Sequence, residues 1–163
     1  MYRFDSMLSI CNLANMLKLS RNGELAGRTI FEVLRLQGRL LASGDALMER
    51  LGLTSARWQI LGTIAFLGKP QTVANLARLM GLTRQSVQRV ANELALEGLL
   101  KFVDNPAHKK AKLMALTPAG HHKAKAAEEL RVPWTEALAG HCKGADFGAA
   151  AEALAALRKA LDK

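Results

Sequence analysis

Cysteine is nearly absent. Cys11 and Cys142 are the two in 163 residues, far apart and without CxxC spacing. Such a chain offers no paired-thiol site and suits a reducing, cytoplasmic compartment. Long apolar runs are missing as well: none reaches the roughly 18 residues of a membrane-spanning helix. Near the start, Asn12, Asn15 and Lys18 interrupt the apolar stretch, and no small-residue cleavage site follows, which argues against a signal peptide. Acids are scarce, with 14 Asp and Glu against 23 Lys and Arg, and they are scattered rather than paired. No Gly-rich phosphate loop or nucleophile elbow occurs either. These absences leave little room for an enzyme and none for a resident cofactor.

What the chain does have is apolar residues and positive charge. Half of its residues are hydrophobic, and 163 residues suffice for one domain with a proper core. The net charge of +9 calls for a polyanionic partner, nucleic acid or an anionic membrane surface. Distribution favours nucleic acid over membrane: residues 69–112 hold eight Lys and Arg against three acids.

That basic region coincides with the most legible part of the chain, residues 72–120. Thr72 is placed to cap a helix whose apolar face is Val73, Leu76, Ala77 and Met80. Gly81 provides a turn, because a residue without Cβ accepts positive φ where two helices meet steeply. Thr83 caps a second helix with Val87, Val90, Ala91 and Leu94 facing inward. Its other face carries Arg84, Gln85, Ser86, Gln88, Arg89 and Asn92, side chains that hydrogen-bond base edges and phosphates. Gly98 ends this helix, and strands over 99–103 and 112–116 flank a loop holding Lys109 and Lys110. The order is that of a winged helix-turn-helix.

ANLARLMGLTRQSVQRVANELALEGLL followed by DNPAHKKAKLMALTPAG resembles the MarR family of bacterial transcription regulators. LGLTSARWQILGTIAFLG upstream and the helical tail beyond WTEALAG extend the resemblance from about residue 27 to the end. It implies a mainly α fold with a small β-wing, in which N- and C-terminal helices form a dimerisation domain. The expected division is 1–27 as an extension, 28–69 as the first dimerisation helix and a linker helix, 70–116 as the DNA-binding domain, and 117–163 as C-terminal dimerisation helices. The implied function is a homodimeric repressor of double-stranded DNA, relieved by a small aromatic or lipophilic effector. Thr83, Arg84, Gln85, Ser86, Gln88, Arg89, Asn92, Lys109 and Lys110 would touch DNA. Phe31, Arg57, Trp58 and Phe66 are candidates for an effector pocket.

The wing departs from the resemblance. Where relatives show Asp-Arg-Arg-like residues, this chain has His108, Lys109 and Lys110. Lysine neutralises phosphate but lacks arginine's planar fork, so the wing is expected to supply affinity and salt sensitivity more than readout. His121 and His122 stand about 100° apart on a helix, poor geometry for one metal, and neither cysteine sits where peroxide-sensing relatives place theirs. The competing reading is a winged-helix interaction module that binds protein without reading DNA. A row of Arg, Gln and Asn on the second helix speaks against it.

Along the rest of the chain, Ile10, Leu13, Ala14 and Leu17 allow a short amphipathic helix. A long helical pattern runs from Thr29 to Gly52, and Thr54 caps the next helix, which ends near Gly68. Thr117-Pro118 opens another helix, with Pro133 inside it as a kink, and the last helix covers 147–161.

Overall fold

The computed structural model describes residues 19–161. Six helices and three short strands follow in the order α1 (Arg21–Met48), α2 (Ser55–Leu67), β1 (Gln71–Thr72), α3 (Val73–Met80), α4 (Arg84–Leu96), β2 (Leu100–Val103), β3 (Leu113–Leu116), α5 (Pro118–His141) and α6 (Phe147–Leu161). The fold is mainly α with a small antiparallel wing, as expected. Two compact units divide at Arg57, within α2.

In the first unit, α1 begins at Arg21, upstream of the expected Thr29. Ser20 accounts for the difference: its side chain accepts from the Gly23 N–H at 3.1 Å and caps the helix. Gly23 and Gly27 are then carried inside, each costing roughly 1 kcal/mol relative to alanine. A single 3-10 turn, Glu49–Leu51, ends in Gly52 at φ +63°, the stop the sequence indicates. Asp45 Oδ1 accepts from the Ser55 N–H at 2.6 Å, while Ser55 Oγ donates to Leu41 O at 2.8 Å. Buried Ser55 therefore has both its hydrogen-bond donors satisfied. The helix proposed around Ile10–Leu17, and Cys11 with it, lie outside the described residues.

In the second unit the core gathers Ile60, Leu61 and Ile64 of α2, Leu76 and Ala77 of α3, and Val87, Val90, Ala91 and Leu94 of α4. Leu100, Met114 and Leu116 add the inward side of the wing, and Ala124 and Ala127 that of α5. The apolar spacing read from the sequence is thus the buried face of α4, residue for residue. Strand order is β1-β3-β2, with Phe102 opposite Met114 and Gln71 opposite Met114 from the other side. β1 is a third strand that periodicity does not reveal, since two residues have no period.

Entry to α5 is tightly fixed. Thr117 caps it through the Gly120 N–H at 3.1 Å, with Pro118 in the first turn, where its missing N–H costs nothing. The same threonine donates Oγ1–H to Gly98 O at 2.6 Å and its backbone N–H to Leu99 O at 3.2 Å. α5 runs through Pro133 and past Gly140 to His141.

Candidate nucleic-acid interface

Both helices of the helix-turn-helix start at a threonine cap. Thr72 accepts from the Asn75 N–H and Thr83 from the Ser86 N–H, both at 3.1 Å. Between the helices Gly81 adopts φ +65°, and its N–H reaches back to α3 carbonyls. This left-handed residue lets α4 leave α3 within three residues, Gly81 to Thr83, as the turn requires.

Thr83, Arg84, Gln85, Gln88, Arg89 and Asn92 are exposed, and Ser86 is half-buried. The row expected to meet DNA is therefore the open face of α4. Its two halves differ. Along the C-terminal half, Gln88 Nε2 donates to Asn92 Oδ1 at 2.8 Å, and Arg89 pairs with Glu93 at 2.5 Å. These are exposed contacts worth at most about 1 kcal/mol, so a ligand displaces them at small cost. Arg84 and Gln85, in the first turn, make no such ties among the described residues and open onto a groove instead.

That groove, of about 730 Å³, lies between the start of α3, the first turns of α4 and the wing. Arg84, Gln85 and Gln88 form one wall; Lys110 and Lys112 form another, with Val73 and Phe102 between. No carboxylate lines it. Three cations over an apolar floor suit a phosphate-bearing chain whose sugars are less polar than its anions. The wing loop is shaped by turns: Asn105 Oδ1 accepts from the Ala107 N–H at 3.0 Å, and Asn105 O accepts from the His108 N–H at 3.1 Å. Lys109 sits exposed at its tip, whereas Lys110 reaches the groove. Lys112 and Phe102, not anticipated from the sequence, belong to this surface. Strand alternation carried the signal for Phe102, but the reach of Lys112 depends on how the loop folds.

A second groove, about 490 Å³, runs along α3 between Thr72, Asn75, Arg78, Leu82 and Arg84. Arg84 thus stands between the two. Arg78 and Asn75 were also missed by sequence reasoning, although their spacing of three on α3 already put them on one outward face.

The four candidate effector residues divide between the two compact units. Phe31 and Arg57 fall in the first compact unit, Trp58 and Phe66 in the second. Phe66 is 90% exposed, and none of the four lines either groove. Arg57 donates Nη1–H to Gly52 O at 3.2 Å, which pins the turn between α1 and α2. Of the histidines, His108, His121 and His122 are exposed, and His141 Nδ1 lies 2.6 Å from Ala137 O. Among the described residues no three potential metal ligands cluster, and no helix is long and apolar enough to cross a membrane.

Comparison with known proteins points to one family. A family model described as MarR family matches residues 51–111. An uncharacterized protein of Mycobacterium tuberculosis is 38% identical over 112 residues, covering 69% of this chain and 77% of that one. The transcriptional activatory protein BadR of Rhodopseudomonas palustris is 26% identical over 101 residues, covering 61% of this chain and 58% of that one. Among solved structures, the transcriptional regulator MosR of M. tuberculosis in complex with DNA superposes with a TM-score of 0.68 at 22% identity, over 82% of this chain and 95% of that one.

Proposed function

Since this chain belongs to the MarR family and is a DNA-binding transcription regulator rather than an enzyme, we propose that it acts as a homodimeric repressor on a palindromic operator. The observation that carries the DNA contact is the open face of α4 beside a carboxylate-free groove. Arg84 and Gln85, with Thr83 and Ser86 at the helix start, enter the major groove, where helix-turn-helix geometry puts the first turns of the second helix. Gln88, Arg89 and Asn92 extend the contact once Arg89 leaves Glu93. Lys109 and Lys110 hold phosphate or a narrow minor groove from the wing.

Dimerisation is supported by unsatisfied apolar surface. On α1, Ile30, Val33, Leu34, Leu40 and Leu41 are all exposed, Leu34 by 63%. On α6 the same holds for Phe147, Leu154 and Leu161. Covering a side chain of this kind stabilises by about 1.5–3 kcal/mol when complete, so helices this rich in exposed apolar residues favour a second copy over water. Two-fold symmetry would then place two copies of α4 on half-sites one helical turn apart. A small aromatic or lipophilic effector relieves repression by binding one spacing of the two α4 helices better than the other; its effect on DNA equals that difference in affinity.

Binding of the purified protein to its own upstream DNA, against a scrambled duplex over a salt series, tests the reading. A preference of about a thousandfold or more supports specific regulation. Absence of binding to either duplex at low salt returns the interaction module as the better account. A promoter reporter fixes the sign: activation in place of repression would refute the repressor assignment.

A further inference from the structure

Three arginines meet carboxylates: Arg35 with Glu32, Arg89 with Glu93, Arg131 with Glu128. Arg78 is held differently. Its Nη2 donates to Asn75 Oδ1 at 2.6 Å, and Asn75 Nδ2 donates to Gln71 Oε1 at 2.5 Å. Gln71, 4% exposed, completes the chain by donating Nε2–H to Lys69 O at 3.1 Å. Its backbone is fixed in β1 opposite Met114 of β3. Every member of this relay beyond the arginine is neutral. It therefore orients the guanidinium without cancelling its charge, which an ion pair would do.

The oriented guanidinium borders the smaller groove, with Arg84 on the same lining and no carboxylate there. Neither arginine makes an ion pair among the described residues. Two uncompensated guanidiniums beside one groove, one of them pre-set by a hydrogen-bond relay that ends in the buried Gln71, form a site for a doubly coordinated oxyanion.

We infer that Arg78, aimed by Asn75 and Gln71, grips a backbone phosphodiester of the duplex from the α3 side of the helix-turn-helix, with Arg84 lining the same groove. This deepens the DNA-binding assignment and rests on it. Arg78 is a contact residue; Asn75 and Gln71 are positioning residues. A phosphate contact carries no base information, so the grip sets the register of α4 on the duplex rather than its sequence preference.

The test uses the full-length protein and fluorescence anisotropy with two duplexes, the upstream DNA and a scrambled control, over a KCl series. Arg78→Ala is expected to weaken binding to both alike and to reduce the salt slope by roughly one. Arg78→Lys restores the slope while leaving affinity below wild type, because the charge returns without the fork. Asn75→Ala keeps the wild-type slope but loses severalfold in affinity, and circular dichroism shows its fold unchanged. Lys143→Ala, removing a charge from the loop after α5, changes neither quantity. An unchanged slope in Arg78→Ala overturns the grip, and would point to a free anion as the occupant. Wild-type affinity in Asn75→Ala overturns the aiming role. Failure of the wild type to bind either duplex refutes the DNA assignment itself, an outcome distinct from both.

Discussion

Replacing Gly120 by alanine should damage this protein far more than helix propensity suggests. The residue is in the first turn of α5, a place where alanine normally gains about 1 kcal/mol over glycine. Here an added Cβ would lie 1.9 Å from the Leu99 carbonyl oxygen and 3.0 Å from its carbon. Ordinary carbon–oxygen contacts need roughly 3.3 Å, so helix and carbonyl must part by more than an ångström. That carbonyl is not at liberty to move. It accepts the Thr117 N–H, and the adjacent Gly98 carbonyl accepts the Thr117 hydroxyl. Overpacking costs about 1–3 kcal/mol, and each hydrogen bond lost costs about 1 kcal/mol more. With both bonds lost and alanine's advantage set against them, the net loss is about 2–4 kcal/mol, or roughly 4–16 °C in Tm for a chain of this size. Urea and thermal unfolding at one fixed protein concentration would measure it, since any dimer makes stability concentration-dependent. Gly140→Ala is the control. It is in the same helix with nothing within 4 Å of a new Cβ, and should be neutral or stabilising by up to about 1 kcal/mol. If Gly120→Ala stays within about 0.5 kcal/mol of wild type, the tight α5 entry is not a structural constraint.

Other expectations follow from the same structure. Arg84→Ala should cost on the order of 1–3 kcal/mol on cognate DNA and less on scrambled DNA, measured by competition anisotropy; equal losses on both would sink direct readout by this residue. Lys109→Ala should weaken binding to every sequence alike and flatten the salt slope by roughly one unit, and a sequence-dependent loss would show that the wing reads bases. Leu34→Glu puts a charge on the apolar surface of α1 and should convert dimer to monomer by light scattering, whereas an unchanged mass would remove α1 from the interface. The hydrogen bond from Arg131, helped by its charge, holds the Glu128 carboxyl below the usual glutamate range, against a smaller desolvation effect. A depressed folded-state pKa means that the pair's support is present above the unfolded value and fades as pH falls through the folded one. Both groups are partly exposed, so Glu128→Gln should cost no more than about 0.5 kcal/mol in urea at neutral pH, and nothing in strong acid. A cost that persists in acid would place the effect in packing.

The winged helix was legible because α4 keeps two kinds of residue strictly apart. Val87, Val90, Ala91 and Leu94 are buried, and the polar row between them is open, as a 3.6-residue period demands. Caps at Thr72, Thr83 and Thr117 were readable for the same local reason: a hydroxyl three residues before a free N–H. What escaped was non-local. Gln71 looks like a loop residue until β3 arrives to pair with it and bury it. Arg78 gains meaning only through that buried amide. The apolar pattern that marks α1 starts only near Thr29, whereas the Ser20 cap begins the helix at Arg21 and carries it across Gly23 and Gly27. Phe66, an aromatic in helical register, gives no hint in sequence that α2 leaves it in the open.

β1 is two residues long, yet it has consequences for the order of folding. The β2–β3 hairpin closes over the short wing loop, and α3 and α4 are built from neighbouring turns. The pairing of Gln71 with Met114, by contrast, joins chain on either side of α3, α4 and β2. Chain entropy opposes so long a closure until both ends are held by other contacts. The strand is therefore expected to zip last, onto a hairpin and helix pair already in place, and to open first when the protein breathes. Because Thr72 is at once a strand residue and the cap of α3, each opening would also uncap the helix that carries Arg78. Hydrogen exchange at the amides of residues 71–75 would then report, in one rate, how often the wing and the helix-turn-helix part company.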